Sequence, residues 1–227
     1  MVKSPTEGCE FFGNNLNPMF ITLEGPDGSG KTSQIGPLVK FLCQKGYKVL
    51  TTREPGGTEI SNQVRTILMD LTNRGMNPRT EILLFCAARA QLVEEFIRPH
   101  LAQGEIVLCD RYADSTLAYQ GYGHGVDLDF LRRLLDFTTG SLWPDLTLLL
   151  DIDPEEGLKR RQVGYAEWNR LDDYALSFHR RVQAGYHELV RQEPLRWRVI
   201  DASQSPDKVQ ISLQESILAF LTQEKAS

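Results

Sequence analysis

The segment between residues 25 and 32 constrains this chain more than any other, because it joins an apolar run, Phe20–Glu24, to an amphipathic stretch, Thr32–Lys45. It matches the phosphate-loop pattern G-x-x-x-x-G-K-[ST], and it reads Gly25-Pro26-Asp27-Gly28-Ser29-Gly30-Lys31-Thr32. Its glycines let successive backbone N–H groups point at phosphate oxygens, and the following helix adds the positive end of its dipole. The sequence therefore predicts a strand, a loop and a helix, with all eight loop residues binding ATP.

Two side chains of this loop have chemical roles. Lys31 would reach the β- and γ-phosphates, and the Thr32 hydroxyl would ligate Mg²⁺. A second apolar run, Ile106–Cys109, is followed by Asp110 and Arg111. Asp110 is placed like a Walker B carboxylate, which holds the same ion directly or through water. Arg111 carries the planar fork that suits a clamp shared by two phosphates. The alternative is that Asp110 and Arg111 form a surface pair that only caps the strand. The presence of the phosphate loop in the same chain favours the functional interpretation.

The rest of the chain alternates short apolar runs with amphipathic stretches, which is the pattern of a parallel sheet with helices on both sides. At 227 residues it is long enough for one compact α/β domain. Strands are expected at Phe20–Glu24, Lys48–Arg53, Ile106–Asp110, Leu146–Asp151 and Arg198–Asp201. Helices are expected at Thr32–Lys45, Glu59–Asp70, Thr80–Leu101, Leu128–Thr139, Pro154–Arg161, Asp173–Gln192 and Ser205–Thr222. Ligands of such sheets bind at the carboxyl ends of the strands.

The composition argues against several classes of partner. The net charge of −5, without long runs of one sign, argues against a nucleic-acid-binding face. The four cysteines lie far apart, with no CxxC, which predicts buried thiols and a cytoplasmic, reducing location. No apolar run approaches the roughly 20 residues that cross a bilayer, so no membrane partner is expected.

A second candidate anion site follows the second predicted strand. Arg53 ends that strand, and the turn Glu54-Pro55-Gly56-Gly57 would aim its side chain. A basic site beside the phosphate loop implies a second phosphorylated substrate. A solvated arginine at a strand end explains Arg53 alone at least as well, and only the two glycines favour the functional interpretation.

Two further groups of residues have a functional and a plain interpretation. Phe85 and Arg89 lie four residues apart and share a helix face, where a ring and a guanidinium can hold a nucleobase. A core phenylalanine with a surface arginine is slightly favoured from the sequence alone. The basic residues of 159–161 and Arg170 bracket an irregular segment, Gln162–Asp173, which would form a basic lid over ATP or a solvated helix face.

These motifs together resemble those of bacterial thymidylate kinases. The phosphate loop, Arg53-Glu54-Pro55-Gly56-Gly57, Phe85-Cys86-Ala87-Ala88-Arg89, Asp110-Arg111-Tyr112 and Tyr119-Gln120-Gly121 occur in the order of that family, between Met19 and about Ala219. The resemblance implies the P-loop kinase fold with a five-stranded parallel sheet, homodimers, and transfer of the γ-phosphoryl group of ATP to dTMP, which yields dTDP and ADP.

The resemblance also implies individual roles for site residues. They are Arg53 and Arg111 on the dTMP phosphate, Phe85 stacked on thymine, Arg89 as a donor to thymine, Thr116 and Gln120 near the base, Tyr119 beside the sugar 2′ position, and Asp27 near the acceptor phosphate and the 3′-hydroxyl. A phosphate acceptor is already ionised near pH 7, because its second pKa is about 6, so no general base is required. Asp27 is therefore expected to position groups and not to remove a proton.

The catalytic arginine of this family lies in the phosphate loop or in the lid. Here the loop position is Gly28, so the lid must supply it. Asn169-Arg170-Leu171-Asp172 resembles the DR-x-E segment of the lid, which makes Arg170 the first choice. The stretch before it contains fewer arginines than the usual bacterial lid, and this leaves Arg160 and Arg161 as alternatives.

Three other functions are alternatives for a chain with these motifs. A kinase for another deoxynucleotide or for a nucleoside is the nearest. A GTPase switch would need an NKxD-type segment and a DxxG motif, and neither is found. A catalytically dead scaffold should have lost Lys31, Arg53 or Arg111, and all three are present.

Residues 1–18 are rich in Gly, Asn and Pro, and they predict a flexible extension ahead of a single kinase domain, 19–227, with a lid at about 162–173. We expect deletion of residues 1–18 to leave folding and turnover unchanged, because the first strand begins directly after Met19, where translation would naturally start. Turnover and melting temperature of the shortened chain are the measurements, and a loss in either contradicts the prediction.

Overall fold

A five-stranded, all-parallel sheet forms the centre of the molecule, with strand order β2-β3-β1-β4-β5. The computed structural model describes residues 18–163 and 170–224, so residues 1–17 of the predicted extension and 164–169 of the predicted lid lie outside the described residues. The strands are β1 Met19–Glu24, β2 Val49–Arg53, β3 Ile106–Asp110, β4 Leu146–Asp151 and β5 Trp197–Asp201. The predicted α/β fold class and all five predicted strands are confirmed, with ends that differ by at most one residue.

Helices cover both faces of this sheet. They are α1 Lys31–Gln44, α2 Glu59–Met69, α3 Pro78–Leu92, α4 Arg98–Ala102, α5 Ala113–Thr116, α6 Leu128–Thr139, α7 Pro154–Val163, α8 Leu176–Gln192 and α9 Pro206–Glu224. Two π-helical segments, Val93–Ile97 and Leu117–Gly123, continue α3 into α4 and extend α5; short 3₁₀ turns lie at Leu71–Asn73 and Arg170–Asp173. Within the described ranges, none of these helices combines the length and apolar character that a bilayer crossing requires.

Helix starts follow from short polar side chains in the sequence. The Thr58 hydroxyl accepts a hydrogen bond from the backbone N–H of Ser61 at the start of α2. The carboxylate of Asp127 accepts one from the N–H of Phe130 at 2.7 Å at the start of α6. These caps satisfy N–H groups that a helix cannot pair internally, which is why the predicted boundaries of both helices were nearly correct.

One helical region was not predicted from the sequence. Residues Ala113–Gly123 were assigned no element, yet they form α5 and its π-helical extension. Local spacing did not indicate it because α5 alone is one turn long and the extension contains two glycines. Its apolar residues are buried between β1, α6 and α8, so tertiary packing supplies most of its stability.

Alternation along the strands divides the apolar core between the two faces of the sheet. In β1, Phe20 packs with residues of α3, α6 and α8, whereas Ile21 and Leu23 pack with residues of α1 and α9. Both faces of the strand are therefore buried, as its continuous apolar run indicates. Strands held on both faces provide a rigid support for the loops at their carboxyl ends.

The register of the strands brings the predicted site residues to one edge. Arg53 at the end of β2 lies opposite Asp110 at the end of β3. Asp110 in turn lies opposite Leu23 of β1, two residues before the phosphate loop begins. The two candidate anion sites of the sequence thus meet at neighbouring strand ends.

The start of α7 packs directly against the phosphate loop. A Cβ atom at Gly157 would lie 2.4 Å from the carbonyl oxygen of Asp27, and one at Gly28 would lie 1.9 Å from the carbonyl oxygen of Gly157. Two backbones can approach this closely only where both side chains are absent. The helix that leads into the predicted lid is therefore fixed to the loop that binds phosphate.

We predict that Gly157→Ala separates α7 from the phosphate loop, because the new methyl group has no space beside Asp27. The expected result is a loss of about 1–3 kcal/mol of unfolding free energy together with weaker ATP binding, measured by urea unfolding and by titration with ATP. Gly36→Ala is the matched control, since a Cβ atom on this α1 glycine meets no atom within 4 Å. Equal losses in both variants would contradict the prediction.

Candidate active site

The phosphate loop connects β1 to α1 in a conformation that depends on glycine. Gly25 has a φ of +139°, and a Cβ atom there would lie 2.3 Å from the carbonyl oxygen of Leu150 in β4. Lys31 is buried and donates hydrogen bonds to the carbonyl oxygens of Gly25 and Pro26, both at 2.9 Å. The loop thus encloses its own lysine ammonium group.

Burial and neighbouring charges shift the pKa of the Lys31 ammonium group. Burial is the main reason that its pKa falls from 10.5 to about 8, and the neighbouring Arg111 cation lowers it further. The carboxylates of Asp110, Asp27 and Glu24 act in the opposite direction. A positive group at this position is therefore surrounded by acids that keep it charged near neutral pH.

The two predicted magnesium ligands lie together. The hydroxyl of Thr32, the second residue of α1, donates a hydrogen bond to Oδ2 of Asp110 at the end of β3, at 2.7 Å. Hydroxyl and carboxylate oxygens are the hard donors that Mg²⁺ prefers, with its remaining ligands taken from phosphates and water. In the described part of the chain, no group of three or more His, Cys, Asp or Glu residues could hold a metal by itself. The pair therefore fits an ion that arrives with nucleotide phosphates.

Arg111 joins the end of β3 to the phosphate loop. Its Nη2 donates to Oδ1 of Asp27 at 2.7 Å, and its Nη1 donates to the carbonyl oxygen of Gly25 at 3.0 Å. The hydroxyl of Tyr119 donates to the other oxygen of Asp27 at 2.6 Å, and the Arg111 guanidinium lies 5.1 Å from the centre of the Tyr119 ring. Arg111 itself has a φ of +69°, an uncommon conformation for a residue other than glycine. Arg111, Asp27 and Tyr119 thus form a rigid triangle beside the loop.

The charge state of Asp27 follows from this triangle. Burial by itself would raise the pKa of Asp27, but the cations of Arg111 and Lys31 and the Tyr119 hydrogen bond hold it well below its ordinary value. The carboxylate is therefore ionised over the physiological range and is a poor proton acceptor. This agrees with its expected positioning role.

Glu24, the last residue of β1, is a buried acid beneath Arg111 that the sequence analysis did not single out. It accepts hydrogen bonds from the backbone N–H of Tyr112 at 2.7 Å and from the hydroxyls of Ser115 at 2.6 Å and Tyr186 at 2.8 Å. Those two hydroxyls also lie 3.3 Å from Nη1 of Arg111. The sequence signal that could have indicated this role is an acid at the end of a strand that is buried along its whole length.

Arg89 of α3 is fully buried, so its interpretation as a surface residue is wrong. Its guanidinium pairs with Glu54 at 2.6 Å, and it donates to the Thr116 hydroxyl at 3.1 Å and to the carbonyl oxygen of Tyr112 at 3.2 Å. Phe85, one turn earlier, is half-buried and lines the same cavity. The predicted ring and guanidinium do share one wall.

A cavity of about 490 Å³ connects these groups, which is within the usual range for small-molecule sites. Among the predicted site residues it is lined by Asp27, Gly28, Gly30, Lys31, Thr32, Arg53, Phe85, Arg89, Asp110, Arg111, Thr116, Tyr119 and Gln120. A neighbouring cavity of about 380 Å³ is lined by Gly28, Ser29, Gly30 and Ser33 of the loop region and by Ala202 and Pro206 after β5. The structure thus brings the two predicted anion sites into one continuous region.

Two arginines from the β2–α2 region line the cavity. Arg53 is exposed, and its guanidinium forms no hydrogen bond or ion pair with any residue that the structure describes. Arg65 of α2, which the sequence analysis missed, donates to the carbonyl oxygen of Pro55 at 2.8 Å. Its pKa is lowered, first by burial and then by Arg53. An arginine in an amphipathic helix has no sequence signal that separates it from a solvated one.

The structure contradicts the first choice for the lid arginine. Arg170 is 4% exposed and does not line the cavity. Its Nη2 pairs with buried Glu81 at 2.5 Å, and its Nε donates to the carbonyl oxygen of Leu68 at 3.1 Å. A guanidinium that neutralises a buried carboxylate is not presented to a phosphoryl group. Arg160 and Arg161 of α7, the two alternatives, do line the cavity.

Comparisons with known proteins agree with this geometry. The sequence model of the family described as "Thymidylate kinase" matches residues 23–213. The thymidylate kinase of Roseiflexus castenholzii is 51% identical over 215 residues, which cover 89% of this chain and 92% of that protein. That of Thermomicrobium roseum is 53% identical over 190 residues, covering 84% and 90%. The crystal structure of thymidylate kinase from Ehrlichia chaffeensis is similar with a TM-score of 0.72 and 33% identity, covering 89% of this chain and 99% of that one.

The buried acid beneath Arg111 generates a pH prediction. Burial and the neighbouring Asp114 raise the pKa of Glu24 from 4.5 to about 7. The folded protein then holds a proton that the unfolded chain releases, so the contribution of Glu24 to stability is full below pH 4.5 and is lost as pH rises through 7. Between pH 5 and pH 8, the unfolding free energy should fall by about 1–3 kcal/mol relative to that of Glu24→Gln, measured by urea unfolding.

The matched control is Glu215→Gln, at an exposed position of α9. Its unfolding free energy should follow that of the natural chain at every pH. A pH dependence in Glu24→Gln identical to that of the natural chain would show that Glu24 does not titrate in this range.

Proposed function

The chain belongs to the thymidylate kinase family, and from this premise we propose that its cavity holds dTMP beside ATP on the phosphate loop. The reaction of the family is the ATP-dependent phosphorylation of dTMP to dTDP, so the chain is a nucleoside monophosphate kinase. The observation that carries the proposal is that Arg53 and Arg111 line the same cavity as Lys31 and Thr32 of the loop. Two anion-binding groups that face one cavity suit two phosphorylated substrates.

Phosphoryl transfer needs positioning more than covalent chemistry from the protein. An oxygen of the dTMP phosphate attacks the γ-phosphorus in line; the new O–P bond forms as the bond to the bridging β–γ oxygen breaks, and ADP leaves. Lys31 and Arg111 stabilise the charge that spreads over the transferring group. Mg²⁺, with Thr32 and Asp110 among its ligands, would supply further charge neutralisation.

The acceptor phosphate is assigned to Arg53 and Arg111. The guanidinium of Arg53 lies at the cavity wall with no partner among residues 18–163 and 170–224, whereas Arg111 is already oriented by Asp27 and Tyr119. Asp27 acts by holding this arginine and not as a base, because its pKa lies well below the ordinary value. The arrangement needs little reorganisation when the substrate arrives, which is the condition for efficient electrostatic catalysis.

The lid arginine is reassigned to α7. Arg160 and Arg161 line the cavity, and the positive charge of Arg161 acts on Asp27 beside the loop. Arg160 donates to the carbonyl oxygen of Ala202 at 2.8 Å and so borders the neighbouring cavity, which we assign to the adenosine part of ATP. Arg161 is therefore our candidate for the group that contacts the γ-phosphate.

The base site is assigned to the wall formed by α3 and the π-helical segment Leu117–Gly123. Phe85 offers a ring for stacking. The guanidinium of Arg89 is held in place by its hydrogen bonds to Glu54 and Thr116, and it would donate a further N–H group to the base. Tyr119 lies between this wall and the phosphate groups, where it would contact the sugar. Gln120, which donates to Glu81 of α3, completes the wall.

We also propose that the enzyme acts as a homodimer through the face of α2, α3 and α6, three helices that pack side by side. Half of the ten large apolar side chains that are exposed among the described residues lie on these helices; they are Ile60, Ile67, Leu83, Phe130 and Phe137. Exposed apolar patches of this kind mark interfaces. Measurement of the molecular mass in solution tests it, and a monomer at micromolar concentration would overturn it.

A cytoplasmic location completes the proposal. ATP and dTMP are substrates of nucleotide metabolism, and Cys86 and Cys109 are buried thiols. Thiols persist in reducing compartments.

We predict that Arg53→Ala weakens dTMP binding about tenfold to a hundredfold, because it removes a charge-assisted hydrogen bond to phosphate, while ATP binding changes by no more than about twofold. The measurement is a coupled ADP-release assay, with dTMP, dUMP, dCMP, dGMP and thymidine as acceptors for the natural chain and for the variant. Preference of the natural chain for thymidine over dTMP would overturn the substrate assignment.

Two further variants complete this experiment. Arg79→Ala changes an exposed arginine at the start of α3 that does not line the cavity, and it should leave both substrates unaffected. Lys31→Ala should lower turnover by orders of magnitude with the fold intact. Equal losses for dTMP and ATP in Arg53→Ala would contradict the assignment of two separate phosphate sites.

A further inference from the structure

The carboxylate of Glu81, near the start of α3, connects the base wall of the cavity to the end of the predicted lid. It is 1% exposed. Its Oε1 accepts a hydrogen bond from Nε2 of Gln120 at 2.8 Å. Its Oε2 pairs with Arg170 at 2.5 Å and accepts from the Tyr174 hydroxyl at 3.2 Å. The ring of His124 lies 3.8 Å from Oε1, beyond hydrogen-bond distance.

This contact determines which end of the Gln120 amide is available to a ligand. An ionised carboxylate only accepts hydrogen bonds, so the NH₂ group of Gln120 must be the end that faces Glu81. The amide oxygen of Gln120 accepts no hydrogen bond from any described residue, and Gln120 lines the cavity. A base in the cavity therefore meets a hydrogen-bond acceptor at this position.

A fixed donor lies on the same wall. Arg89 donates to the Thr116 hydroxyl, and Thr116 precedes Gln120 by four residues. The wall thus presents a guanidinium donor and an amide acceptor together. The imide edge of thymine, which has a carbonyl oxygen beside an N–H group, is complementary to this pair. Cytosine reverses the pattern, with an amino group beside an unprotonated ring nitrogen.

We propose that Glu81 is a positioning residue that selects an imide base over an amino-pyrimidine by holding the oxygen of the Gln120 amide towards the acceptor nucleotide. The proposal rests on the proposed function, because it takes this cavity as the dTMP site. Arg170 contributes by occupying Oε2 of Glu81, which leaves Oε1 for Gln120. Arg170, the first choice for phosphoryl transfer, would then influence base selection indirectly, through Glu81 and Gln120.

The substitution Glu81→Gln should reverse the local polarity. Arg170 can only donate, so it will hold the oxygen of the new amide, and the new NH₂ group must then face Gln120. The Gln120 amide is expected to rotate so that its oxygen accepts this bond and its own NH₂ group points to the base. The wall would then offer two donors, which suits the ring nitrogen of cytosine better than the N–H of thymine.

The experiment compares dTMP with 5-methyl-dCMP, which keeps the methyl group and differs only at the hydrogen-bonding edge. In Glu81→Gln, kcat/KM for 5-methyl-dCMP relative to dTMP should rise about tenfold or more, the range for one mismatched buried hydrogen bond. KM for ATP should change by no more than about twofold. In a Gln120→Ala background, Glu81→Gln should leave the ratio unchanged, because the group it acts through is absent.

Tyr174→Phe is the matched control, since it removes a donor from the other oxygen of the same carboxylate and should not alter the ratio. Glu81→Asp keeps the charge opposite Arg170 and only withdraws the carboxylate from Gln120. Glu81→Asp should shift the ratio of kcat/KM for 5-methyl-dCMP and dTMP to the value found for Gln120→Ala. If Glu81→Gln does not fold, this variant tests the proposal in its place.

Three results would overturn the inference. They are equal ratios in Glu81→Gln and Tyr174→Phe, a uniform loss with both acceptors and with ATP, or an unchanged ratio in Glu81→Asp. Failure of the proposed function is distinguishable from these, because the natural chain would then phosphorylate neither pyrimidine nucleotide.

Discussion

The ion pair between Arg111 and Asp27 is the interaction on which the site depends. It ties the end of β3 to the phosphate loop at 2.7 Å, and so it joins the two parts of the sequence that were separately interpreted as anion sites. The positive φ of Arg111 directs its side chain into the cavity, and an uncommon backbone conformation of this kind persists only when the surroundings determine it. Glu24, Ser115 and Tyr186 provide those surroundings.

The site as a whole is a balanced set of buried charges. Lys31 is enclosed by its loop with acids nearby, Arg89 is paired with Glu54, and Arg170 is paired with Glu81. A buried charge without a partner would be strongly destabilising, and the buried Arg89 and Arg170 each have their own carboxylate. Arg53 differs from them, because it is exposed and none of the described residues occupies its guanidinium. Lys31, Arg89 and Arg170 are thus held by groups of the protein, whereas the guanidinium of Arg53 is available to an incoming phosphate.

Base recognition and the lid meet at one carboxylate. The 3₁₀ turn Arg170–Asp173 forms the end of the predicted lid and is held to Leu68 of α2 and to Glu81 of α3. The same Glu81 holds Gln120 on the base wall. The amide orientation at the base and the anchoring of the end of the lid therefore depend on the same carboxylate, so a substitution of Glu81 should alter both.

The sequence by itself determined the architecture and the chemistry of the phosphate loop, because strand alternation and the glycine spacing are local properties. It also indicated Thr32 with Asp110, since both follow predicted strands whose carboxyl ends meet. Only the tertiary structure decided that Arg89 is buried, that Arg170 neutralises Glu81, and that Ala113–Gly123 is helical. The two arginines depend on distant partners, Glu54 at 35 residues from Arg89 and Glu81 at 89 residues from Arg170, and the helical region depends on burial among other elements. The side chain of an arginine carries no local mark of which distant carboxylate, phosphate or water it will meet.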